Sequence, residues 1–284
     1  NGGKDFSPWS KRDALLYRTL RIPVEAILRK DGVGLADCAL TESRFEKGED
    51  ISKRLLLILP GMSEIRNNGT PDIEFAASGL LARSQLASGQ PDDARRTVET
   101  LRKRYVEAGL TRFLPNMDAM LCRMDLHTGE LDRADEWYRD KAPRDPLSFN
   151  VMKRYLYLTQ AMVELADGRP DEAIMTLSPL LPFVEKCSRY IDSIHLNTIS
   201  AIALCRKKDM AWRKTLNKAL ETAEKFRFIR TVSVYGVSVL PLLEELGWEG
   251  DARWFKTLVT ATRMQAAYYP HFLQPRIAPK ESLT

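Results

Sequence analysis

Leu86-Ala87-Ser88-Gly89-Gln90-Pro91-Asp92-Asp93-Ala94 and Leu165-Ala166-Asp167-Gly168-Arg169-Pro170-Asp171-Glu172-Ala173 are nearly the same stretch of sequence. Leu126-His127-Thr128-Gly129-Glu130-Leu131-Asp132-Arg133-Ala134 is a third copy. Gly89, Gly129 and Gly168 lie 40 and 39 residues apart. Gly247, again followed five residues later by an alanine (Ala252), lies 79 residues beyond Gly168, two more periods. The skipped copy centres on Lys208, where Lys207-Lys208-Asp209 is a polar turn between two apolar runs. A fixed period of this length is the mark of a repeat architecture.

Each slot in the copies has a mechanical reason. The glycine ends one helix in a left-handed residue. Pro91 and Pro170 follow two residues later, where a missing amide costs nothing in the first helical turn. Asp92, Asp93, Asp171 and Glu172 put negative charge at that helix's N-terminus. Ala94, Ala134, Ala173 and Ala252 are small, as are Ala82, Cys122, Ala161 and Ala201 seven residues before each turn, as close helix contact requires. Leu240 departs from that rule in the last copy.

The unit is therefore a helix, a tight turn and a second helix, which buries its apolar face only by stacking on its neighbours. The pattern predicts first helices over 72–88, 113–128, 147–167, 189–206 and 228–246, and second helices over 91–108, 131–142, 170–187, 209–226 and 250–268. Pro179 and Pro182 should kink or split one of them. The expected fold is all-α, a right-handed superhelical solenoid of tetratricopeptide-like helix pairs. Residues 1–71 form an irregular N-terminal helical portion, in which Gly48, 41 residues before Gly89, marks an eroded earlier copy. Repeats occupy 72–269. Pro270, Pro275 and Pro279 then stop the helix, so 270–284 reads as a linker leaving the domain.

Of the 284 residues, 44% are hydrophobic and 29% charged, a globular balance that excludes a disordered chain. The net charge of +5 permits a nucleic-acid partner without asking for one. Cys38, Cys122, Cys187 and Cys205 lie far apart with no CxxC pair, which suits reduced thiols in a cytoplasm. The most continuous apolar stretch, Leu55 to Leu59, is far short of a membrane span, and no membrane role is expected. His127, His195 and His271 are scattered without metal-ligand spacing, and no nucleophile elbow, dinucleotide fingerprint or phosphate loop occurs. No enzyme activity, metal or cofactor is expected.

The G-x-x-x-[DE]-A pattern resembles the tetratricopeptide repeat with a lengthened period, as in the sensor region of MalT-like regulators of the LuxR family. Leu114-Pro115-Asn116-Met117-Asp118-Ala119, Arg154-Tyr155-Leu156-Tyr157-Leu158-Thr159 and Trp212-Arg213-Lys214-Thr215-Leu216-Asn217-Lys218-Ala219-Leu220 are similar to phrases in such regulators. The resemblance spans about residues 72–273. It implies a nucleotide-binding domain before the repeats and a helix-turn-helix domain after them. Neither is visible here, although Leu283-Thr284 matches a common opening of the latter, so the chain is expected to be a piece of a longer regulator. DNA would then be a partner only through that missing domain.

First helices line the concave surface of such repeats, and two offsets from the turn point into it. Thirteen residues back lie Ala76, Asn116, Tyr155 and His195; six back lie Arg83, Arg123, Met162 and Ile202. Asn116, Arg123, Tyr155 and His195 are the candidate ligand contacts, suited to stacking on and hydrogen bonding to a small polar molecule or a peptide. The alternative for Tyr155 and His195 is packing between repeats with satisfied polar tips. At the level of the protein, the alternative is a scaffold for a protein partner or for self-association, with no small effector. The basic runs Arg95-Arg96, Arg102-Lys103-Arg104 and Arg206-Lys207-Lys208 read as solvated faces.

Overall fold

One backbone device closes four successive hairpins. The amide after the turn returns to the carbonyl five residues back: Gln90 to Gln85 (2.9 Å), Glu130 to Asp125 (2.9 Å), Arg169 to Glu164 (2.8 Å) and Asp209 to Leu204 (3.0 Å). This closure satisfies carbonyls that the helix end would leave open, and it requires a left-handed residue in between. Gly89, Gly129 and Gly168 supply it with φ of 75°, 79° and 73°, and Lys208 takes the same conformation at 60°. The skipped copy is thus a true turn without its glycine. Gly48, at φ 74°, ends the helix Leu35–Glu46 in the same way, with Glu49 returning to Arg44 at 3.1 Å.

The computed structural model describes residues 35–49, 63, 65–143, 145 and 148–276, and every regular element among them is helical. The helices are α1 (Leu35–Glu46), α2 (Pro71–Ala87), α3 (Pro91–Glu107), α4 (Leu114–Thr128), α5 (Leu131–Lys141), α6 (Arg154–Ala166), α7 (Pro170–Leu177), α8 (Leu180–Lys186), α9 (Tyr190–Arg206), α10 (Ala211–Phe226), α11 (Arg230–Ser233), α12 (Gly236–Leu246) and α13 (Ala252–Tyr268). Short 3-10 turns, Thr111–Phe113 and Val151–Lys153, lead into α4 and α6. The remainder of 1–71 and residues 277–284 lie outside the described residues.

Pro179 separates α7 from α8, the split its ring dictates. The helix expected over 228–246 is instead two, α11 and α12. The reason sits at Gly236, whose φ is 42° and where an added Cβ would lie 3.1 Å from the backbone of Gln265 and Ala266. The α13 backbone presses close there, and the positive φ favours glycine. Ala252 also departs from its expected role. It is exposed, whereas Ala94, Ala134 and Ala173 are buried between helices.

Hairpins stack in chain order, α4 on α6 and α6 on α9, and one buried apolar cluster runs from Ala119 to Leu273. The stack also curls until its ends meet. Ile229 donates its amide to the Glu46 carbonyl at 2.7 Å, and Thr231 Oγ1 donates to Glu46 Oε2 at 2.7 Å. On the other side, Gln265 Nε2 reaches the Ala87 carbonyl at 2.8 Å.

The stretch expected to leave as a linker does not leave at Tyr269. Residues 269–276 fold back across the turns as a strap. A Cβ on Gly89 would lie 3.0 Å from Tyr268, one on Gly129 3.6 Å from His271, and one on Gly168 3.8 Å from Pro275. Tyr269 donates its hydroxyl to the Leu86 carbonyl (2.6 Å), and Ser238 Oγ donates to the Phe272 carbonyl (2.8 Å). Arg276 pairs with Asp132 (3.1 Å) and Asp135. Proline forbids a helix here but not docking, because Tyr269, Phe272 and Leu273 bury their side chains.

The basic runs bind other helices rather than water alone. Arg102 pairs with Asp118 at 2.7 Å and Arg104 with Glu74 at 2.5 Å, each on a different helix. Arg206 donates to the carbonyls of Leu165 (2.6 Å) and Leu273, and burial lowers its pKa to about 10.

The turn chemistry yields a paired prediction. Lys208→Gly removes a left-handed strain of about 1 kcal/mol and should raise the urea midpoint. Gly89→Ala adds that strain together with a clash on the Tyr268 ring, and should lower stability by about 2 kcal/mol. Midpoints moving the same way for both variants would contradict the turn assignment.

Candidate functional site

The curl of the stack encloses a cavity of about 330 Å³. Its wall passes obliquely through the first helices. It uses Ala82, Arg83, Leu86 and Ala87 at the end of α2, then Met120, Arg123, Met124 and His127 on α4. It continues to Arg154, Tyr155, Leu158 and Met162 on α6, and reaches Ile191, Asp192 and His195 at the start of α9. Helix α1 adds Glu42 and Phe45, the α11 region adds Arg230 and Thr231, and α13 and the strap add Gln265 and Phe272.

Three of the four candidate residues meet there. The Arg123 guanidinium lies 3.7 Å over the Tyr155 ring, its Nε donates to Thr159 Oγ1 at 2.7 Å, and Nη2 donates to the Tyr155 carbonyl at 3.2 Å. His195 Nδ1 sits 2.9 Å from the Tyr235 hydroxyl. Asn116 is not part of the wall. The cavity slants toward the C-terminal half of α4, so position 116 lies one turn above its rim at Met120. Its Oδ1 is buried without a partner among the described residues. Of the other positions at the two offsets, Arg83 and Met162 line the cavity, whereas Ala76 and Ile202 do not.

Charge is organised around this wall. Burial works against the Arg83 charge, but Glu46 and Glu42 outweigh it and raise its pKa. Asp192 accepts from Arg154 at 3.2 Å and from Arg189. Burial holds His195 well below its ordinary pKa, and the positive charges of Arg123 and Arg83 push it down further. It is therefore neutral at pH 7.

At the strap end, His127 is sandwiched. Phe272 stacks on it with centroids 3.8 Å apart, and Tyr269 meets it edge-on at 4.9 Å. Its Nδ1 lies 2.6 Å from the Arg123 carbonyl, so Nδ1 carries the proton and donates. Nε2 is buried with no partner among the described residues, and burial lowers the pKa of the ring to about 4.

Offset counting does not reach Arg154, Arg189, Arg230, His127, Gln265 or Phe272. Arg189 and Arg230 begin helices, and Phe272 lies in the strap, so none recurs with the period. Asp118 pairs with Arg102 of the preceding hairpin at 2.7 Å and with Lys141 of its own at 3.0 Å. Asn197 bonds, among the described residues, only within its own helix, to Ser193, whose carbonyl lies at 2.8 Å. Cys122, Cys187 and Cys205 are free thiols among the described residues. Among the described residues no group of three His, Cys, Asp or Glu comes together as a metal site, and no helix is long and apolar enough to cross a membrane.

Stacked helical hairpins closed by left-handed turns, with first helices facing a common cavity, define a tetratricopeptide-like repeat protein. The family model described as the MalT-like TPR region matches residues 56–248, more than half of the chain, and the chain belongs to that family. No curated protein and no solved structure matches it.

Proposed function

We propose that this chain is the effector-sensing and protein-docking region of a LuxR-family, MalT-like transcription regulator. It works in the cytoplasm and acts on DNA only through a helix-turn-helix domain elsewhere in the full-length protein. On this reading the stack is a right-handed superhelix whose trough recognises a ligand and does not transform it.

The observation that carries the reading is a shared wall. Phe272 of the strap and Gln265 of α13 line the same cavity as Arg123, Tyr155 and His195. An occupant therefore touches the segment that runs toward the C-terminus. A ligand that contacts Phe272 binds the docked strap better than the released one, and shifts the population by that difference in affinity.

The test is a thermal-shift screen of sugars, nucleosides, amino acids, carboxylic acids and short peptides, followed by hydrogen exchange with each hit. At least one class should raise the midpoint and slow exchange of the amides of 269–276. A midpoint unmoved by every class overturns the effector reading. Light scattering and pull-down with the same chain would then test a scaffold for a partner or for self-association.

A further inference from the structure

We infer that the occupant of the central cavity is a small carboxylate with an apolar body. The inference rests on the reading of the cavity as an effector site and adds the chemical class of the effector.

Five arginines line the cavity, against Glu42 and Asp192 on the same wall and Glu46 behind Arg83. Glu46 and Glu42 (3.3 Å) match Arg83, and Arg154 and Arg189 share Asp192. Arg230 lies 4.9 Å over the Phe45 ring, and the two cations at Asp192 are matched by one acid. The Nε and Nη2 of Arg123 are held by Thr159 and Tyr155, while Nη1 has no partner and the guanidinium no carboxylate among the described residues. Its packing on Tyr155 fixes the plane of the fork before any ligand arrives, so little side-chain freedom is lost on binding.

A second donor stands on the next repeat. Burial keeps the Tyr235 phenol protonated, and His195 Nδ1 is the one partner of its hydroxyl among the described residues. The hydroxyl therefore donates to Nδ1, and the neutral imidazole carries its proton on Nε2. A guanidinium Nη1 and an imidazole Nε2–H thus remain for a ligand, both donors, one charged. A carboxylate accepts from both and compensates the charge; an amide compensates nothing, and an amine is repelled.

The rest of the pocket asks for carbon. Met120, Met124, Leu158 and Met162 line it, and methionines re-pack around apolar bodies of differing shape. A volume of about 330 Å³ is at the small end for ligand sites, which suits a single small acid rather than a long peptide.

The probes are octanoate and 3-phenylpropionate, each set against its amide and its amine, titrated into the 284-residue chain by calorimetry with hydrogen exchange to locate the site. The acids should bind at least 10-fold more tightly than the amides, with the amines weakest, and should protect amides of α4, α6 and α9. Arg123→Gln should weaken the acids by about 10- to 100-fold and leave the amides within about 3-fold. The acid-to-amide ratio is taken within each variant, so a general loss of folding does not imitate the result. Acid and amide binding alike, or acids binding without protecting those helices, overturns the carboxylate class. If a sugar, nucleoside or neutral amino acid protects those helices while the acids do not, the class fails and the effector reading stands. If nothing protects them, both fail.

Discussion

Phe272→Ala is expected to cost about 3–5 kcal/mol and to release the strap. The ring is 1% exposed, stacks on His127 at 3.8 Å and forms part of the cavity wall. Truncation removes its contacts and leaves a hole beside an existing cavity, which the surrounding helices cannot close because their turns are fixed. The cheaper escape is local. The strap can undock, exposing Tyr269 and Leu273 as well, and forfeiting the hydrogen bonds of Arg206 and Ser238 to the Leu273 and Phe272 carbonyls. The variant should therefore show two signs together: a lower urea midpoint, and amides of 269–276 that exchange as fast as an open chain. Met264→Ala, on the exposed face of α13, should stay within about 0.5 kcal/mol of the parent. A loss under about 1 kcal/mol with strap protection intact would mean that Phe272 does not anchor the strap. The proposed signalling route would then lose its first link.

What the sequence makes legible follows from how local each device is. A hairpin closure is written in six residues, so Gly89, Pro91 and Asp92 announce it without reference to anything distant. Lys208 can be placed by period alone, even though a lysine gives no hint of a left-handed backbone. Offset counting reaches Arg123, Tyr155 and His195 because equivalent positions on stacked helices face the same way. It fails at Asn116 because the cavity crosses the helices at a slant, a property of the whole stack that no single repeat contains. The strap is the other failure. Prolines at 270 and 275 say only that the chain is not helical, and the available counter-signal was three apolar side chains, Tyr269, Phe272 and Leu273, in so short a run. Nothing local names the surface that receives them: the turns of three successive repeats, brought into line only by stacking.

Acid should loosen the same strap, through His127. Burial lowers its folded pKa to about 4, against 6.5 in the unfolded chain. Between those values the unfolded state binds the proton and the folded state does not, so stability falls as pH drops from about 6.5 toward 4. From pH 7 to pH 4.5 this one ring should remove about 2–3 kcal/mol. His195 acts in the same direction, since its pKa is also lowered on folding. Asp125 and Glu164 act in the opposite one. Burial raises both, so the folded state gains protons on them and is favoured by acid. The raw pH profile therefore mixes signs, and the informative quantity is a difference between variants. His127→Phe keeps a ring between Phe272 and Tyr269 but carries no proton. The parent should lose about 2–3 kcal/mol more than this variant between pH 7 and pH 4.5 in urea titrations. Exchange should place the opening at 269–276, because a charged imidazolium there would be wedged between two aromatic rings, with an Nε2–H that finds no acceptor among the described residues and Arg123 one turn away. Parallel pH profiles for parent and variant would show that His127 is not the buried neutral base on which this coupling depends.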